Sequence, residues 1–239
     1  MDQTKRIAMW SGPRNLSTAM MYSFGGRRDC CVVDEPFYAS YLAATGIQHP
    51  MQAEILASQS RNADDVAEQL LKPVSNKVFY QKHMSHHMVD GIPRDWMEKV
   101  LNVFLIRHPI RVVASYAKKR EGPNLDDIGF RQQAELFDHI CALGQTPVVI
   151  DSYDIRVDPE RMMRKLCKAL ELPWDAGMLR WTSGGHESDG VWATHWYGAV
   201  HTSTGFAEPE SKLPELEHEY ADVARQAMPF YEKLAAIKL

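Results

Sequence analysis

The sequence predicts an α/β fold, in which a parallel sheet of five strands lies between two layers of helices. Short apolar runs, each about the length of one strand, alternate with amphipathic segments along most of the chain. Strands that alternate with helices pair in parallel and carry helices on both faces of the sheet. The carboxyl ends of the strands then share one edge, where open α/β sheets bind their ligands.

The first strand, turn and helix have the arrangement of a phosphate-binding loop. An apolar strand at 6–10 enters a Gly-Pro-Arg turn, and a helix at 17–24 follows with Ser17 as the expected N-cap. Backbone N–H groups at the start of this helix, together with Arg14 and the hydroxyl of Thr18, suit an anion. The turn lacks the second glycine and the lysine of a Walker A loop. An ordinary turn before a capped helix is the alternative interpretation of these residues.

The strands and helices that follow continue the alternation. Further strands are predicted at residues 30–33, 77–84, 102–106 and 147–150. Helices are predicted at residues 64–71, 110–119, 126–143, 158–170 and 214–238. We expect 198–209 to be a loop and 175–239 as a whole to be a C-terminal lid or helical extension of a single domain. Within it, the Trp-rich segment 191–197 fits either a lid or packing against the core.

The size and composition of the chain are those of an ordinary soluble protein. Its 239 residues suffice for one domain with a full core, and 45% of them are hydrophobic and 24% charged. The net charge of −4 argues against nonspecific nucleic-acid binding. No signal-peptide hydrophobic region is present, and no apolar run approaches the roughly 18 residues of a membrane span. We therefore expect a cytoplasmic protein without nucleic-acid or membrane partners.

The cysteines and adjacent histidines do not have the spacing of a metal site. Neither a CxxC pair nor the Cys/His spacing of structural zinc occurs around Cys30, Cys31, Cys141 and Cys167. We expect these cysteines to be buried, reduced thiols of a cytosolic protein. His86 and His87 are further candidates for a catalytic role, but adjacent residues seldom face one site together, so no metal pair is predicted there.

Polar side chains follow three of the predicted strands at the expected ligand edge. Asp34 and Glu35 follow the second strand, Lys82 and His83 end the third, and Arg107 follows the fourth. Glu35 and His83 are both candidate bases for a hydroxyl, and one of them could orient the substrate while the other accepts the proton. Lys82 is placed to stabilise a transferred group.

Four segments, in this order along the chain, are similar to the motifs of one family. Residues 13–18, Pro-Arg-Asn-Leu-Ser-Thr, resemble a 5′-phosphosulfate loop, and 34–37 resemble an acidic Glu-Pro motif whose Glu can serve as base. Residues 104–116 closely resemble a 3′-phosphate motif, in which an Arg and a Ser eight residues later hold the phosphate. Residues 153–173 resemble the segment that closes the core. These are motifs of the sulfotransferases, P-loop-like enzymes that use 3′-phosphoadenosine 5′-phosphosulfate (PAPS).

The resemblance implies a site and a reaction. It implies that the 5′-phosphosulfate is bound by Pro13, Arg14, Asn15, Leu16, Ser17 and Thr18. It implies that Arg107 and Ser115 bind the 3′-phosphate, and that the catalytic residues are Arg14, Glu35, Lys82 and His83. The implied activity is transfer of the sulfuryl group of PAPS to a hydroxyl of a small-molecule or carbohydrate acceptor, without a metal. Leu16 stands where the family usually has Gly, and the usual C-terminal Arg-Lys-Gly segment is absent.

Two other functions remain open at this point. A P-loop small-molecule kinase would use ATP and Mg²⁺, although the missing Walker lysine counts against it. A non-catalytic protein that binds adenosine bisphosphate would need the loop but not a base. The sequence does not decide the oligomeric state, for which a homodimer is one expectation.

Overall fold

A five-stranded parallel sheet forms the centre of the part of the chain that the structure describes. The computed structural model describes residues 4–118 and 122–239. Its strands are β1 (Lys5–Ser11), β2 (Cys30–Asp34), β3 (Val78–Met84), β4 (Leu101–Ile106) and β5 (Val148–Asp151). They lie in the order β2-β3-β1-β4-β5, and every neighbouring pair is parallel. The predicted strand number and direction are confirmed.

Helices follow most of the strands. The α-helices of the described residues are α1 (Ser17–Gly25), α2 (Tyr38–Thr45), α3 (Gln52–Ser58), α4 (Ala63–Leu71), α5 (Pro109–Ala117), α6 (Phe130–Ala142), α7 (Ser152–Val157), α8 (Pro159–Ala169), α9 (Ala193–Trp196), α10 (Gly198–His201) and α11 (His218–Ala235). Short 3₁₀ helices lie at Ser85–His87, Asp95–Lys99 and Ala176–Leu179.

Both faces of the sheet are covered, because side chains alternate between them along each strand. Ile7 and Met9 of β1 pack in one core with α1 and α8, on what we call the first face. Ala8 and Trp10 pack in another core with α4, α6 and the C-terminal part of α11, on the second face. Each fully buried large apolar side chain contributes roughly 1.5–3 kcal/mol. The predicted three-layer arrangement is confirmed.

Several predicted boundaries are wrong by a few residues. Helix α6 begins at Phe130 and not at 126, because Gly129 has a φ of 71° and this left-handed conformation interrupts the helix. Helix α11 begins at His218 rather than at 214. The predicted loop 198–209 contains α10, a single turn closed by a hydrogen bond from the His201 amide to the Tyr197 carbonyl. Helix α5 is described to Ala117, and its predicted end at Lys119 lies outside the described residues.

The strand order reverses beside β1, because β3 and β2 lie on one side of it and β4 and β5 on the other. The buried side chain of Gln133 donates from Nε2 to the carbonyl oxygens of Trp10 and Leu105, both at 3.0 Å. It therefore satisfies backbone groups where β1 and β4 end. The loop between β1 and α1 opens at this reversal, the position at which α/β sheets bind ligands.

Two expectations about the chain as a whole can be compared with the structure. None of the described helices is both long enough and apolar enough to cross a bilayer. The four cysteines are free thiols, as expected, but only Cys167 is buried: Cys30 and Cys31 are half-buried and Cys141 is exposed.

Candidate active site

A cavity of about 300 Å³ opens at the carboxyl edge of the sheet. Its lining combines the loop after β1, the ends of β2, β3 and β4, and the segment around α9 and α10. The residues expected to bind the nucleotide all line it, namely Pro13, Arg14, Asn15, Leu16, Ser17, Thr18, Arg107 and Ser115. Of the expected catalytic residues, Glu35 and Lys82 also line the cavity.

The loop between β1 and α1 is shaped by close packing and by left-handed backbone. A Cβ at Gly12 would lie 2.4 Å from the carbonyl oxygen of Ile128, so only glycine fits there. Arg14 and Leu16 have φ values of 65° and 74°. Leu16, not the predicted Ser17, is the N-cap of α1, and no side chain caps this helix. The left-handed conformation costs a leucine roughly 1–2 kcal/mol, which a glycine at this position would avoid.

The arginines expected to bind the two ends of the nucleotide lie side by side. Arg14 Nε donates to Ser115 Oγ at 3.0 Å, and Arg107 Nη1 donates to the Arg14 carbonyl oxygen at 2.6 Å. Burial and the neighbouring Arg107 both lower the pKa of Arg14. Because the positive charge of Arg107 disfavours that of Arg14, an anion near both arginines and the start of α1 would be stabilised.

Helix α5 explains why Arg107 and Ser115 converge on this cavity. His108 caps the helix, accepting from the Ile110 amide at 3.3 Å, and Pro109 occupies the first turn. Arg107 thus precedes the helix at the end of β4, and Ser115 lies on its second turn. Both side chains reach Arg14, which bridges the distance between them.

A second group of polar residues is buried next to the loop, and we call it the acid–lysine cluster: Asp34, Glu35, Lys82 and Tyr197. Lys82 Nζ donates to Asp34 Oδ1 at 2.8 Å, to Tyr197 Oη at 2.7 Å and also to Glu35 Oε1. The Tyr197 hydroxyl has one proton to donate and lies within hydrogen-bond distance of both carboxylates, 2.8 Å from Asp34 Oδ2 and 3.3 Å from Glu35 Oε1. Lys82 is 1% exposed and Asp34 3%, so their charges are stabilised by one another rather than by water.

Both carboxylates reach Lys82 because the backbone turns between them. Asp34 is paired in register with Lys82 on neighbouring strands, so their side chains lie on the same face of the sheet. In an extended strand the next residue would point to the opposite face. Glu35 has a φ of 39°, and this left-handed conformation directs its carboxylate to the same lysine. Strained backbone of this kind is often found at functional sites.

Burial and charge shift the pKa values of this cluster. Burial raises the pKa of Glu35, and the charge of Asp34 adds to that effect, while Lys82 acts in the opposite direction. Burial alone would lower the pKa of Lys82, but the two carboxylates outweigh it and the pKa is raised. Burial followed by the same carboxylates raises the pKa of Tyr197. Lys82 and Tyr197 therefore keep their protons, whereas Glu35 is a stronger base than an ordinary carboxylate.

Aromatic and imidazole rings line the end of the cavity next to Glu35. Its lining there includes Tyr38, His49, His86, His87 and Trp196. The His87 ring stacks on Tyr38 with centroids 4.6 Å apart, and its Nε2 lies 4.0 Å from Glu35 Oε2. Burial lowers the pKa of His87 well below its usual range, so this imidazole is neutral. Rings therefore form much of the lining at this end of the cavity, and the His87 imidazole among them is neutral.

The structure does not bring His83 to the cavity. Lys82 and His83 are adjacent on β3, so their side chains lie on opposite faces of the sheet. The His83 ring stacks on Trp10 at 4.5 Å and lies near Phe37 and Trp96 in the core of the second face. Burial and the charge of Lys82 lower the pKa of His83 to about 3. Its surroundings are those of a neutral core residue.

Comparison with known proteins assigns this geometry to a family. A family model described as a sulfotransferase domain matches residues 5–238. The chain belongs to the sulfotransferase domain family. Among curated proteins, it is 37% and 34% identical to the branched-chain-amino-acid aminotransferase-like proteins 1 and 2 of Arabidopsis thaliana, over 98% and 95% of its length. It spans only 42% and 41% of those relatives, respectively.

Solved structures show the same sulfotransferase fold. The sulfotransferase domain from the curacin biosynthetic pathway superimposes with a TM-score of 0.56 and 17% identity, covering 95% of this chain and 99% of that one. A sulfotransferase from Alicyclobacillus acidocaldarius gives a TM-score of 0.55 and 11% identity, covering 97% of this chain and 94% of that one. At these identities the likeness concerns the fold alone.

Sequence reasoning missed Tyr197 as part of the lining of this cavity. The signal was the Trp-rich segment 191–197, for which both a lid and core packing were considered. In the structure Trp192 is 1% exposed and donates to Tyr197 Oη at 2.9 Å, while Trp196 and Tyr197 line the cavity. Within the described ranges, no group of three or more His, Cys, Asp or Glu residues could hold a metal ion.

Proposed function

We propose that this sulfotransferase-family protein transfers the sulfuryl group of PAPS to a hydroxyl of a small-molecule or carbohydrate acceptor. One observation carries the proposal: Arg14 of the loop after β1, Arg107 after β4 and the buried carboxylate of Glu35, whose pKa is raised, all line the same cavity. PAPS would bring several negative charges and an activated sulfuryl group. The chain would supply fixed cationic donors on one side and a base on the other.

The donor set fits such a nucleotide. The loop 13–18 and the start of α1 would hold the 5′-phosphosulfate, with Arg14 as its cation. Arg107 and Ser115 would hold the 3′-phosphate. The contact of Arg14 with both of these residues supports the idea that the two subsites belong to one ligand.

Glu35 is our proposed base. Its Oε1 is held by Lys82 and Tyr197, which leaves Oε2 to accept the proton of an acceptor hydroxyl. The raised pKa brings a carboxylate closer to the operating pH, which favours proton transfer. Lys82 keeps Glu35 ionised and positioned, and lines the cavity where it could also stabilise the transferred group. Sulfuryl transfer, like phosphoryl transfer, depends mainly on positioning and charge stabilisation, and we include no metal in this scheme.

The acceptor would enter over the aromatic end of the cavity. Tyr38, His87 and Trp196 offer flat faces and neutral groups, which favour an uncharged acceptor with an aromatic or apolar body. A sugar ring could also stack on these faces, so a carbohydrate remains within the proposal. The extension 175–239 would cover the site, and we retain a cytoplasmic location and a homodimer as expectations.

Thermal unfolding with and without 3′,5′-adenosine bisphosphate tests the nucleotide assignment. A ligand that binds only the folded state raises its stability by RT ln(1 + [L]/Kd), so we expect the wild type to melt at a higher temperature with the bisphosphate. Arg107→Ala should lose this shift. Arg161→Ala, which removes an exposed arginine of α8, is the matched control and should keep it.

A parallel titration with ATP and Mg²⁺ separates the kinase alternative. A shift with ATP and Mg²⁺ but none with the bisphosphate would replace our proposal with a phosphotransferase. A bisphosphate shift without any transfer to a panel of uncharged alcohols, sugars and phenols would favour the non-catalytic binding protein.

A further inference from the structure

Arg107 also belongs to a second group of charged side chains: its Nη1 donates to the Arg14 carbonyl oxygen, whereas its Nη2 donates to Glu210. Three arginines, which we call the arginine cluster, surround one carboxylate: Arg107, Arg111 and Arg156 around Glu210. Glu210 Oε1 accepts from Arg107 Nη2 and lies 3.0 Å from Arg156 Nη1, while Oε2 lies 3.5 Å from Arg111 Nε. The Glu210 side chain is only 6% exposed. The resemblance to the family did not point to Arg111, Arg156 or Glu210.

The cluster carries more positive charge than its carboxylate can neutralise. Three guanidinium groups face a single carboxylate, and the contacts with the arginines lower the pKa of Glu210 although burial alone would raise it. Burial lowers the pKa of Arg156, and Arg107 and Arg111 lower it further despite Glu210. A ligand with two negative charges would match this group better than one carboxylate does.

The position of Glu210 is also that of a ligand. Arg107 and Ser115 line the main cavity and also a second cavity of about 450 Å³, whose lining includes Arg111 and Glu210. The Glu210 carboxylate therefore contacts the same guanidinium group that we assign to the 3′-phosphate. A phosphate and an ionised carboxylate cannot both contact Arg107 closely without strong repulsion.

Two of these arginines also donate to backbone carbonyl oxygens of residues on either side of Glu210. Arg156 Nε donates to the Glu208 carbonyl oxygen at 2.8 Å, and Arg111 Nη2 donates to the Ser211 carbonyl oxygen at 2.5 Å. The segment 206–217 contains no helix or strand. Removal of 208–211 from the cluster would thus free donors of Arg107, Arg111 and Arg156 together.

We propose that Arg111 and Arg156 join Arg107 in one subsite for the terminal 3′-phosphate, and that Glu210 occupies this subsite until the nucleotide displaces it. The identity of the phosphate rests on the function proposed above. The nucleotide must compete with an internal carboxylate. Its apparent affinity is therefore the intrinsic affinity multiplied by the fraction of molecules in which Glu210 has left the subsite. Glu210 and the two additional arginines would then set the selectivity for nucleotides that carry a 3′-phosphate.

Calorimetric titration of the full chain with two ligands tests this proposal. The ligands are 3′,5′-adenosine bisphosphate and 5′-AMP, which lacks the 3′-phosphate. Glu210→Gln should tighten binding of the bisphosphate about tenfold and leave 5′-AMP binding within about twofold, because only the 3′-phosphate competes with the carboxylate. Glu208→Gln is the matched control: its side chain is exposed on the same segment, and neither affinity should change. Glu210→Asn replaces Glu210→Gln if the latter does not fold.

Substitution of the arginines should have the opposite effect on bisphosphate binding. Arg111→Ala and Arg156→Ala should each weaken binding of the bisphosphate about tenfold and 5′-AMP much less, a difference that a general loss of stability would not produce. Unchanged or weaker bisphosphate binding by folded Glu210→Gln would overturn the proposal and make the carboxylate a structural tie. Equal losses for both ligands in the arginine variants would also contradict it.

A further titration distinguishes failure of the proposed function from failure of the proposal about Glu210. If the wild type binds neither nucleotide, the function proposed above fails, and inorganic pyrophosphate is then titrated into the same variants. Tighter pyrophosphate binding by Glu210→Gln than by Glu208→Gln would support an anion subsite that Glu210 occupies. Equal binding by the two variants would overturn it.

Discussion

Two neighbouring residues of β3 show how differently the two faces of this sheet treat a buried polar group. Lys82 on the first face is 1% exposed and His83 on the second is 2% exposed. Lys82 stays charged because Asp34 and Glu35 contact it, whereas His83 is surrounded by aromatic rings and stays neutral. A buried charge needs oppositely charged partners, whereas a buried neutral imidazole needs only a hydrogen-bond partner, here Gln81, and rings to stack on. Burial alone does not identify a functional residue.

The largest expected effect on stability comes from removing the charge on the first face. Lys82→Met leaves two buried carboxylates without their cation, and we expect unfolding to become easier by about 3–5 kcal/mol at pH 8. The loss should shrink as the pH falls, because Glu35, whose pKa is raised by burial, can then take up a proton. Urea unfolding at pH 8 and pH 5 measures both quantities. An effect below about 1 kcal/mol at pH 8 would mean that the cluster is not tightly coupled.

A substitution on the second face should lower the free energy of unfolding less than Lys82→Met does, and with a different pH dependence. His83→Phe keeps an aromatic ring but leaves Gln81 Oε1 without the His83 Nε2 that lies 3.2 Å away, so we expect a loss of about 1–3 kcal/mol at pH 7. Lys82→Met and His83→Phe thus compare adjacent residues of the same strand. Equal losses would remove the distinction between the two faces.

The neutral, buried His83 should also make the stability of the fold sensitive to acid. The pKa of His83 falls from its ordinary 6.5 to about 3 in the folded chain. Below pH 6.5 the unfolded chain binds a proton at this histidine that the folded chain does not. The free energy of unfolding therefore decreases as the pH is lowered from 6.5 towards about 3, by up to about 1.4 kcal/mol per pH unit. His87, also with a lowered pKa, adds to this slope. His83→Phe should flatten the slope, and His218→Gln, at an exposed histidine, should not. An unchanged slope in His83→Phe would mean that His83 is protonated in the fold.

Of these substitutions, removal of the Tyr197 hydroxyl should have the smallest effect on the free energy of unfolding. Tyr197→Phe removes the partner of Lys82 and Trp192, at a cost of about 1–2 kcal/mol. The hydrogen bond from Tyr197 lowers the pKa of Glu35, so its loss raises that pKa. The acidic limb of kcat/KM should therefore move to higher pH, since a base works only when deprotonated. A pH–rate profile with an unmoved acidic limb would exclude Glu35 as the group that titrates.

The fold could be predicted from the sequence because it depends on local patterns. Apolar runs and the Gly-Pro-Arg turn indicated the strands and the anion loop, and the spacing of Arg107 and Ser115 matched a known motif. The alternation of side chains along β3 already implies that Lys82 and His83 cannot both face the cavity. Tyr197 could not be assigned, because 115 residues separate it from Lys82. The conformation of Glu35 depends on tertiary contacts that no local pattern reveals.

The Arg107 environment was the other part that sequence reasoning missed. The motif indicated a cation free to bind phosphate, whereas the structure pairs Arg107 with Glu210, 103 residues later in the chain. Pairing over such a distance arises from the folded topology and has no signal in the spacing of charges. Glu210 lies in a segment without secondary structure, where periodicity offers no guide.

In the function proposed above, the chemistry takes place on the first face of β3, with Glu35 as base. The most direct test measures transfer of the sulfuryl group from PAPS to the best acceptor of a hydroxyl panel by the wild type, Glu35→Gln and His83→Phe. We expect Glu35→Gln to lower kcat about 100- to 10,000-fold without weakening nucleotide binding, and His83→Phe to stay within about threefold of the wild type. Full activity of Glu35→Gln, or an equal loss in folded His83→Phe, would rule out Glu35 on the first face as the base.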